Sequence, residues 1–362
     1  MNLSEIAKHF GVSPASVSIV RKGLPGVSSK TRRQIQQCLE ENGYAYQPYV
    51  LSAGTQPSHC DDQQFIRLVK YKKSALLVDK NEGFVESIID AVDAHARLSG
   101  YTLLLNTVSF AEYASYLSEL KQKACAGLLV VATEMERREI LKLAQLPIPL
   151  VILDSEHPAL PFCTVTMNNR DIAYMATGRL FALGHARVGY LRSSIATGNF
   201  LSRSNGYLEA LREHGQPWDD ALVYELRPST EGAYHDMLAC LATRPLPSAL
   251  FADNDLIAIG AMRAIQKTGL HVPGDVSIIG VDNTPLSQVC TPPLSTMQIS
   301  RPALGKQAFA ALLSQIENPA QEPVHYRVGS RLIERGSVGP GPSANGVARA
   351  ANARLYASPG RL

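Results

Sequence analysis

The apolar positions of residues 1–46 fall into three short helical repeats. Leu3, Ile6, Ala7 and Phe10 follow the i, i+3, i+4, i+7 spacing that lays one apolar stripe along a helix. Asn2 and Glu5 stand at a capping-box spacing at its start, and Gly11 can take the left-handed conformation that ends it. Ser13 then caps a second helix with Pro14 at its first position, where a missing N–H costs nothing, and Val17 and Val20 face inward. After a Gly23-to-Val27 loop, Ser28 caps a third helix whose apolar side is Ile35 and Leu39 and whose end is Gly43. A first helix, the turn Gly11-Val12-Ser13 and a short second helix make a helix-turn-helix, which can set the start of the second helix into a DNA major groove. Ala15, Ser16 and Ser18 are small or polar and leave room for that approach. The same pattern also describes a helical hairpin that only packs.

Residues 47–64, with Pro48, Gly54 and Pro57, form a hinge or linker. Residues 65–336 change period. Short apolar runs at Thr102–Leu105, Gly127–Ala132, Leu150–Leu153, Val188–Leu191, Ala249–Ala252 and Ser277–Val281 alternate with amphipathic stretches such as Gly83–Ser99, Asp171–Gly184, Arg203–Gly215 and Asp255–Gly269. That alternation predicts parallel sheets covered by helices, and the length fits two similar lobes better than one. Residues 337–362 carry Gly339-Pro340-Gly341-Pro342, many alanines and three arginines without an apolar period, and are expected to be a disordered tail.

In open α/β sheets ligands bind beyond the carboxyl ends of the strands. Several apolar runs end there in polar groups: Leu153 leads into Asp154, Ala252 into Asp253-Asn254-Asp255, and Val281 into Asp282-Asn283. Carboxylates and amides so placed suit a hydroxylated or polar ligand. Each alone also reads as a helix cap or a solvated loop.

Composition narrows the choice. The chain of 362 residues is 45% hydrophobic and 19% charged, as soluble domains are. It has no run of about 18 apolar residues to cross a membrane. Its first residues lack a signal-peptide pattern, so a cytoplasmic protein is expected. The net charge of +3 identifies no partner, but Lys8, Arg21, Lys22, Lys30, Arg32 and Arg33 outnumber Glu5, Glu40 and Glu41 in the first helices. Phosphate contact needs such an excess, and a solvated helical face also tolerates it. The six cysteines and nine histidines are scattered, so neither a metal site nor a redox pair is indicated. Phosphate-binding glycine loops and nucleophile elbows are absent too, so no cofactor and no catalytic residue are expected.

The chain resembles the lac repressor/galactose repressor family of bacterial transcription regulators over almost all of residues 1–336. Leu3-Ser4-Glu5-Ile6-Ala7, Gly11-Val12-Ser13, Ala15-Ser16-Val17-Ser18, Gly26-Val27-Ser28 and Leu39-Glu40-Glu41-Asn42-Gly43-Tyr44 look like its headpiece. Leu183-Gly184-His185, Phe251-Ala252-Asp253-Asn254-Asp255, Val272-Pro273-Gly274-Asp275-Val276-Ser277-Ile278-Ile279-Gly280-Val281-Asp282 and Leu332-Ile333-Glu334-Arg335-Gly336-Ser337 follow in family order.

The resemblance implies a helix-turn-helix headpiece (1–46) and a periplasmic-binding-protein-like core (65–336) whose chain crosses between lobes three times. Lobe one would take about 65–166 and 300–324, and lobe two about 167–299 and 325–336. It implies a homodimer on a pseudo-palindromic double-stranded operator, acting as a repressor controlled by a small effector, a sugar or related polar metabolite. Pro14 and Ala15 would then read bases, and Ser13, Ser16, Ser18, Ser28 and Thr31 would contact phosphates or bases. Ile19 replaces a common family arginine and could meet a thymine methyl. Leu51, near the intruding Pro48, is the candidate for a minor-groove wedge. Arg203, Asn254 and Asp282 match family effector contacts, joined by Asp154 and by Asp79, Asn81 and Phe84 from an unusual first-pocket loop. The alternatives are a solute-binding protein of the same core fold or an α/β sugar-modifying enzyme.

Overall fold

The computed structural model describes residues 3–13, 16–17, 20, 29–42, 65–74, 76–78, 83–122 and 125–342. The chain divides into two units, residues 1–61 and 62–362.

In the first unit, α1 (Leu3–His9) ends at Gly11, whose φ of 62° is the left-handed conformation expected of it. Ser13 Oγ accepts from the Ser16 N–H at 3.1 Å, which satisfies a donor at the start of the second helix. Helix α2 (Ser29–Glu41) packs back through Ile35 and Leu39. With Ile6, Ala7, Val17 and Val20 they make one small buried core, edged by Phe10, Val12 and Cys38. Of the inward positions read from the sequence, Ile6, Ala7, Val17, Val20, Ile35 and Leu39 are buried and Phe10 is half-buried.

The second unit is two six-stranded sheets. The first contains β1 (Phe65–Lys72), β2 (Thr102–Ser109), β3 (Gly127–Val131), β4 (Leu150–Leu153), β5 (Cys163–Met167) and β11 (His325–Val328), all parallel, in the order β11-β5-β4-β3-β1-β2. The second contains β6 (Val188–Ser193), β7 (Val223–Leu226), β8 (Ala249–Ala252), β9 (Ser277–Val281), β10 (Ser295–Ile299) and β12 (Ser330–Ile333), in the order β12-β10-β9-β8-β6-β7, with β12 alone antiparallel. Strands β3, β4, β8 and β9 are buried at every residue because helices cover both faces, which is why they read as unbroken apolar runs.

The helices of this unit begin with α3 (Phe84–Leu98), α4 (Tyr113–Leu120), α5 (Arg137–Leu141), α6 (Asn169–Ala182) and α7 (Gly198–Glu213). They are followed by α8 (Thr230–Leu241), α9 (Asp255–Lys267), α10 (Pro285–Val289) and α11 (Arg301–Glu317). Helix α7 begins at Gly198, five residues before the Arg203 start expected from amphipathicity, because Thr197 Oγ1 caps it by accepting from the Phe200 N–H at 3.2 Å. None of the described helices is long and apolar enough to cross a membrane.

Two expected boundaries move. The resemblance places residues 325–328 in lobe two, but β11 pairs with β5 in the first sheet, so the third crossing falls at Gly329. The disordered tail was expected from residue 337, but residues 337–341 are bonded to lobe two. Buried Ser337 donates through Oγ to the Ile278 carbonyl (2.7 Å) and accepts from the Ser295 N–H (2.8 Å). Gly339 N–H donates to Ser277 Oγ at 3.0 Å, and Gly341 N–H donates to the Leu183 carbonyl at 2.7 Å. Residues 343–362 of that tail lie outside the described residues.

Ser337→Ala would leave a buried backbone N–H and a carbonyl each short of a partner. A loss of about 1–3 kcal/mol in urea denaturation is expected, and a change below about 0.5 kcal/mol would contradict a structural role for this strap.

Candidate functional site

The cleft lies between the lobes of the second unit, beyond the carboxyl ends of both sheets. From the first lobe, β4 runs into Asp154, whose φ of 53° is left-handed and turns the chain sharply at the strand end. Asp154 Oδ2 accepts from the Thr133 hydroxyl (2.6 Å), which sits two residues after β3. Its Oδ1 and its own carbonyl both accept from Asn199 Nδ2 at 3.0 Å. Asn199 belongs to α7 of the second lobe, so this pair spans the cleft.

The residue before it makes that approach possible. A Cβ at Gly198 would stand 1.8 Å from the carbonyl oxygen of Glu156 in the first lobe. Any other residue would have to push the first turn of α7 away.

One helical turn after Asn199, the guanidinium of Arg203 is 3% exposed. Its Nε donates to Asn169 Oδ1 at 3.0 Å, and Nη1 donates to the Asp253 carbonyl. Nη2 lies 4.0 Å from Asp282 Oδ1, and the guanidinium carbon stands 5.3 Å from the Phe200 ring centroid. Asp253 is held in turn by the Tyr190 hydroxyl (2.6 Å) and the Ser193 N–H (2.7 Å).

Asp282 and Asn283 follow β9 with φ of 110° and 50°, two successive non-glycine residues in strained backbone. Side-chain hydrogen bonds hold this turn. Arg301 donates to the Asp282 and Asn283 carbonyls, Arg335 Nη2 donates to Asn283 Oδ1 at 2.6 Å, and the Asn283 N–H reaches Thr296 Oγ1 at 3.3 Å.

Burial pushes the Asp154 carboxyl up to about 6, opposed by Thr133, Arg203 and Asn199 and reinforced by Asp282. Burial likewise lifts Asp253 to about 6. Asp255 rises to about 7 through burial and then through repulsion from Asp282. Among the described residues lining the cleft, two carboxylates, Asp154 and Asp282, stand beside the buried guanidinium of Arg203.

Of the expected effector residues, Phe84, Asp154, Arg203, Asn254 and Asp282 line this one cleft. Asn254 also caps α9, its Oδ1 accepting from the Ile257 N–H at 2.9 Å, so cap and cleft wall are one residue. Asp79 and Asn81 lie outside the described residues. The wall further includes Leu77, Val85, Thr133, Met167, Thr197, Asn199 and Phe200, which sequence reasoning did not select. Asn199 and Phe200 stand four and three residues before Arg203, on its own helical face, and a correct start for α7 would have found them. Thr133 follows the same strand-end logic that selected Asp154.

On the headpiece, Ser13 is exposed, Ser16 is half-buried beside it (Oγ–Oγ 2.9 Å), and Thr31 is half-buried on α2. Pro14, Ala15, Ser18, Ile19, Ser28 and Leu51 lie outside the described residues. No group of three histidine, cysteine or acidic side chains that could hold a metal occurs among the described residues.

Residues 177–338 match a family profile described as a periplasmic binding protein-like domain. The chain is 30% identical over 345 residues to the HTH-type transcriptional repressor PurR of Escherichia coli, covering 94% of this chain and 97% of that protein. Among solved structures, the transcriptional regulator CelR–cellobiose complex aligns with a TM-score of 0.70 at 23% identity, over 93% of this chain and 99% of that one. The lac repressor dimer bound to operator and the anti-inducer ONPF aligns with a TM-score of 0.68 at 23% identity, over 94% and 99%. A LacI family regulator from Enterococcus faecium with bound ribose aligns with a TM-score of 0.65 at 23% identity, over 76% and 99%. At these identities the structural likenesses speak to the fold.

The Asp154 carboxyl gives a test by pH. Its folded-state pKa of about 6 exceeds the unfolded value, so its contribution to stability is fully present in acid and is lost as pH rises through about 6. Asp154→Asn removes that loss. Between about pH 4 and about pH 6, the variant's Tm should fall less, or rise more, than the parent's in calorimetry, and superimposable Tm–pH curves would overturn the assignment.

Proposed function

Because the chain belongs to the LacI family of DNA-binding transcription regulators, we propose that it is an operator-binding repressor whose DNA affinity is set by a small hydroxylated effector held in the interlobe cleft. The observation that carries the effector half of this reading is α7, which brings Asn199 and Arg203 of one lobe against Asp154 of the other. Carboxylates at Asp154 and Asp282 accept from ligand hydroxyls, while the Asn199 amide and the Arg203 guanidinium donate to ligand oxygens. Phe84 and Phe200 add apolar surface to the cleft wall, which suits the C–H side of a sugar. The cellobiose and ribose of the similar regulators support a carbohydrate or a related polar metabolite.

A ligand between two lobes can act at a distance only by differing in its contacts between their arrangements. Asp154 and Asn199 are partners in the arrangement described above, and a ligand hydroxyl inserted between them would exchange that bond for two of its own. The resulting change in lobe angle would alter how two headpieces of a homodimer are held over a pseudo-palindromic operator. The lac repressor dimer on its operator supports that assembly. We read the cleft as a binding site without turnover, and the regulator as acting in the cytoplasm, where its DNA is. Within the headpiece, Ser13, Ser16 and Thr31 are the described residues proposed to contact DNA.

Fluorescence titration with duplex from beside the chain's own gene should give specific binding that weakens steeply between about 50 and 200 mM salt. Affinity no better than for a random duplex would overturn the reading. Sugars and nucleosides screened by thermal shift should raise Tm when they occupy the cleft.

Arg203→Ala should raise the effector concentration for half-response by about tenfold or more while leaving effector-free DNA binding in place. Equal loss of both functions would make Arg203 a folding residue instead.

A further inference from the structure

The first strand of the cleft-bearing unit ends in a basic run, Lys70, Tyr71, Lys72 and Lys73, and a short acidic segment after β3 answers it. Lys73 Nζ pairs with Glu136 and lies 3.6 Å from Glu139 Oε1, and the Tyr71 hydroxyl donates to Glu139 Oε1 at 2.9 Å. Glu134, in the same segment, is bound chiefly by backbone. Its Oε2 accepts from the N–H groups of Lys73 (2.6 Å) and Ser74 (2.8 Å). Its Oε1 accepts from the Leu77 N–H (3.0 Å) and the Ser74 hydroxyl (2.9 Å). Four donors from residues 73–77 converge on one carboxylate that is 6% exposed. Burial works to raise its pKa, yet the N–H groups of Lys73, Leu77 and Ser74 outweigh it and hold the carboxyl below its ordinary range.

The turn so gathered is the one that delivers Leu77 to the cleft wall. Glu134 is also the direct neighbour of Thr133, whose hydroxyl holds Asp154. Two consecutive side chains after β3 therefore set two separate parts of the first lobe's wall: the Asp154 acceptor and the turn carrying Leu77.

We propose that Glu134 is a positioning residue for effector recognition: by gathering the N–H groups of Lys73, Ser74 and Leu77 it fixes the Leu77 side of the cleft before an effector arrives. This rests on the cleft being the effector site. A preformed wall spares the ligand the entropy of ordering a loop, so Glu134 contributes to affinity without touching the ligand.

Glu134→Gln keeps the size of the side chain but turns one acceptor into a donor. Either orientation of the amide then sets its NH₂ against backbone N–H groups, those of Lys73 and Ser74 on one side or that of Leu77 on the other. In the full chain, hydrogen exchange should quicken by about tenfold or more at residues 73–77, while β3 and β4 keep their protection. This arm needs no effector. Ser74→Ala, which removes one donor from an exposed turn, should give a smaller change in the same direction, about threefold.

Titrated with D-ribose and with cellobiose, Glu134→Gln should need about tenfold more sugar for half-response yet reach the same maximal change in DNA affinity at saturation. A merely structural residue would lower the maximal response and effector-free DNA binding together. If neither sugar acts on the wild-type chain, the sugar reading fails, and the exchange arm alone decides the anchor. Unchanged exchange at 73–77 in both variants, or exchange quickened evenly over the first lobe in both, overturns the proposal. So does a wild-type half-response concentration in Glu134→Gln.

Discussion

A guanidinium cannot be buried unless acceptors surround it, because an unmatched charge away from water costs several kcal/mol. Around Arg203 that requirement recruits parts of the chain far apart in sequence: Asn169 at the start of α6, the Asp253 carbonyl after β8, and Asp282 after β9. These groups sit on different elements, so strand ends and helix starts must meet at one depth. The strained turn at Asp282-Asn283 is part of the same demand. Arg301 and Arg335 hold it in a conformation that neither residue would choose in isolation. Tyr190 and Ser193 likewise fix Asp253, whose carbonyl meets the guanidinium.

Charge at the cleft floor is therefore unbalanced by construction. Asp154 and Asp282 line the cleft beside Arg203, Asp253 and Asp255 lie behind it, and burial raises the carboxyls of Asp154, Asp253 and Asp255 toward neutrality. Hydroxyl and amide donors already meet part of that demand, at Thr133, Asn199, Thr284 and Thr296. A ligand that brings further donors relieves the rest, which favours a polyol over an anion.

Much of this was legible in the sequence because strands buried on both faces leave unbroken apolar runs, and polar residues just past such runs stand at the strand ends where the cleft opens. Asp154, Asn254 and Asp282 follow from that rule alone. What hydrophobic pattern could not carry was pairing decided by backbone. The half-exposed β11, His325–Val328, has no apolar run to say which sheet it joins. Ser337 to Gly341 dock through N–H, carbonyl and hydroxyl groups on small residues, so they read as a loose tail. Asn199 and Phe200 were hidden because α7 opens on a capping threonine and a glycine rather than on its apolar stripe. Glu134 lies on a turn between elements, and what it binds is main chain, which no residue spacing announces.

Gly198 bears on how such a regulator can diverge. The contact with Glu156 leaves no volume for even one methyl group, so the seam between the lobes is set by an absence of side chain. Ligand preference can drift through Leu77, Phe84 or Phe200, whose side chains line the wall and can be exchanged one at a time. Position 198 has no such latitude: every codon change that alters the residue there adds atoms at the seam. A substitution on the cleft wall changes what the cleft meets, whereas a substitution at position 198 displaces the contact between the lobes themselves.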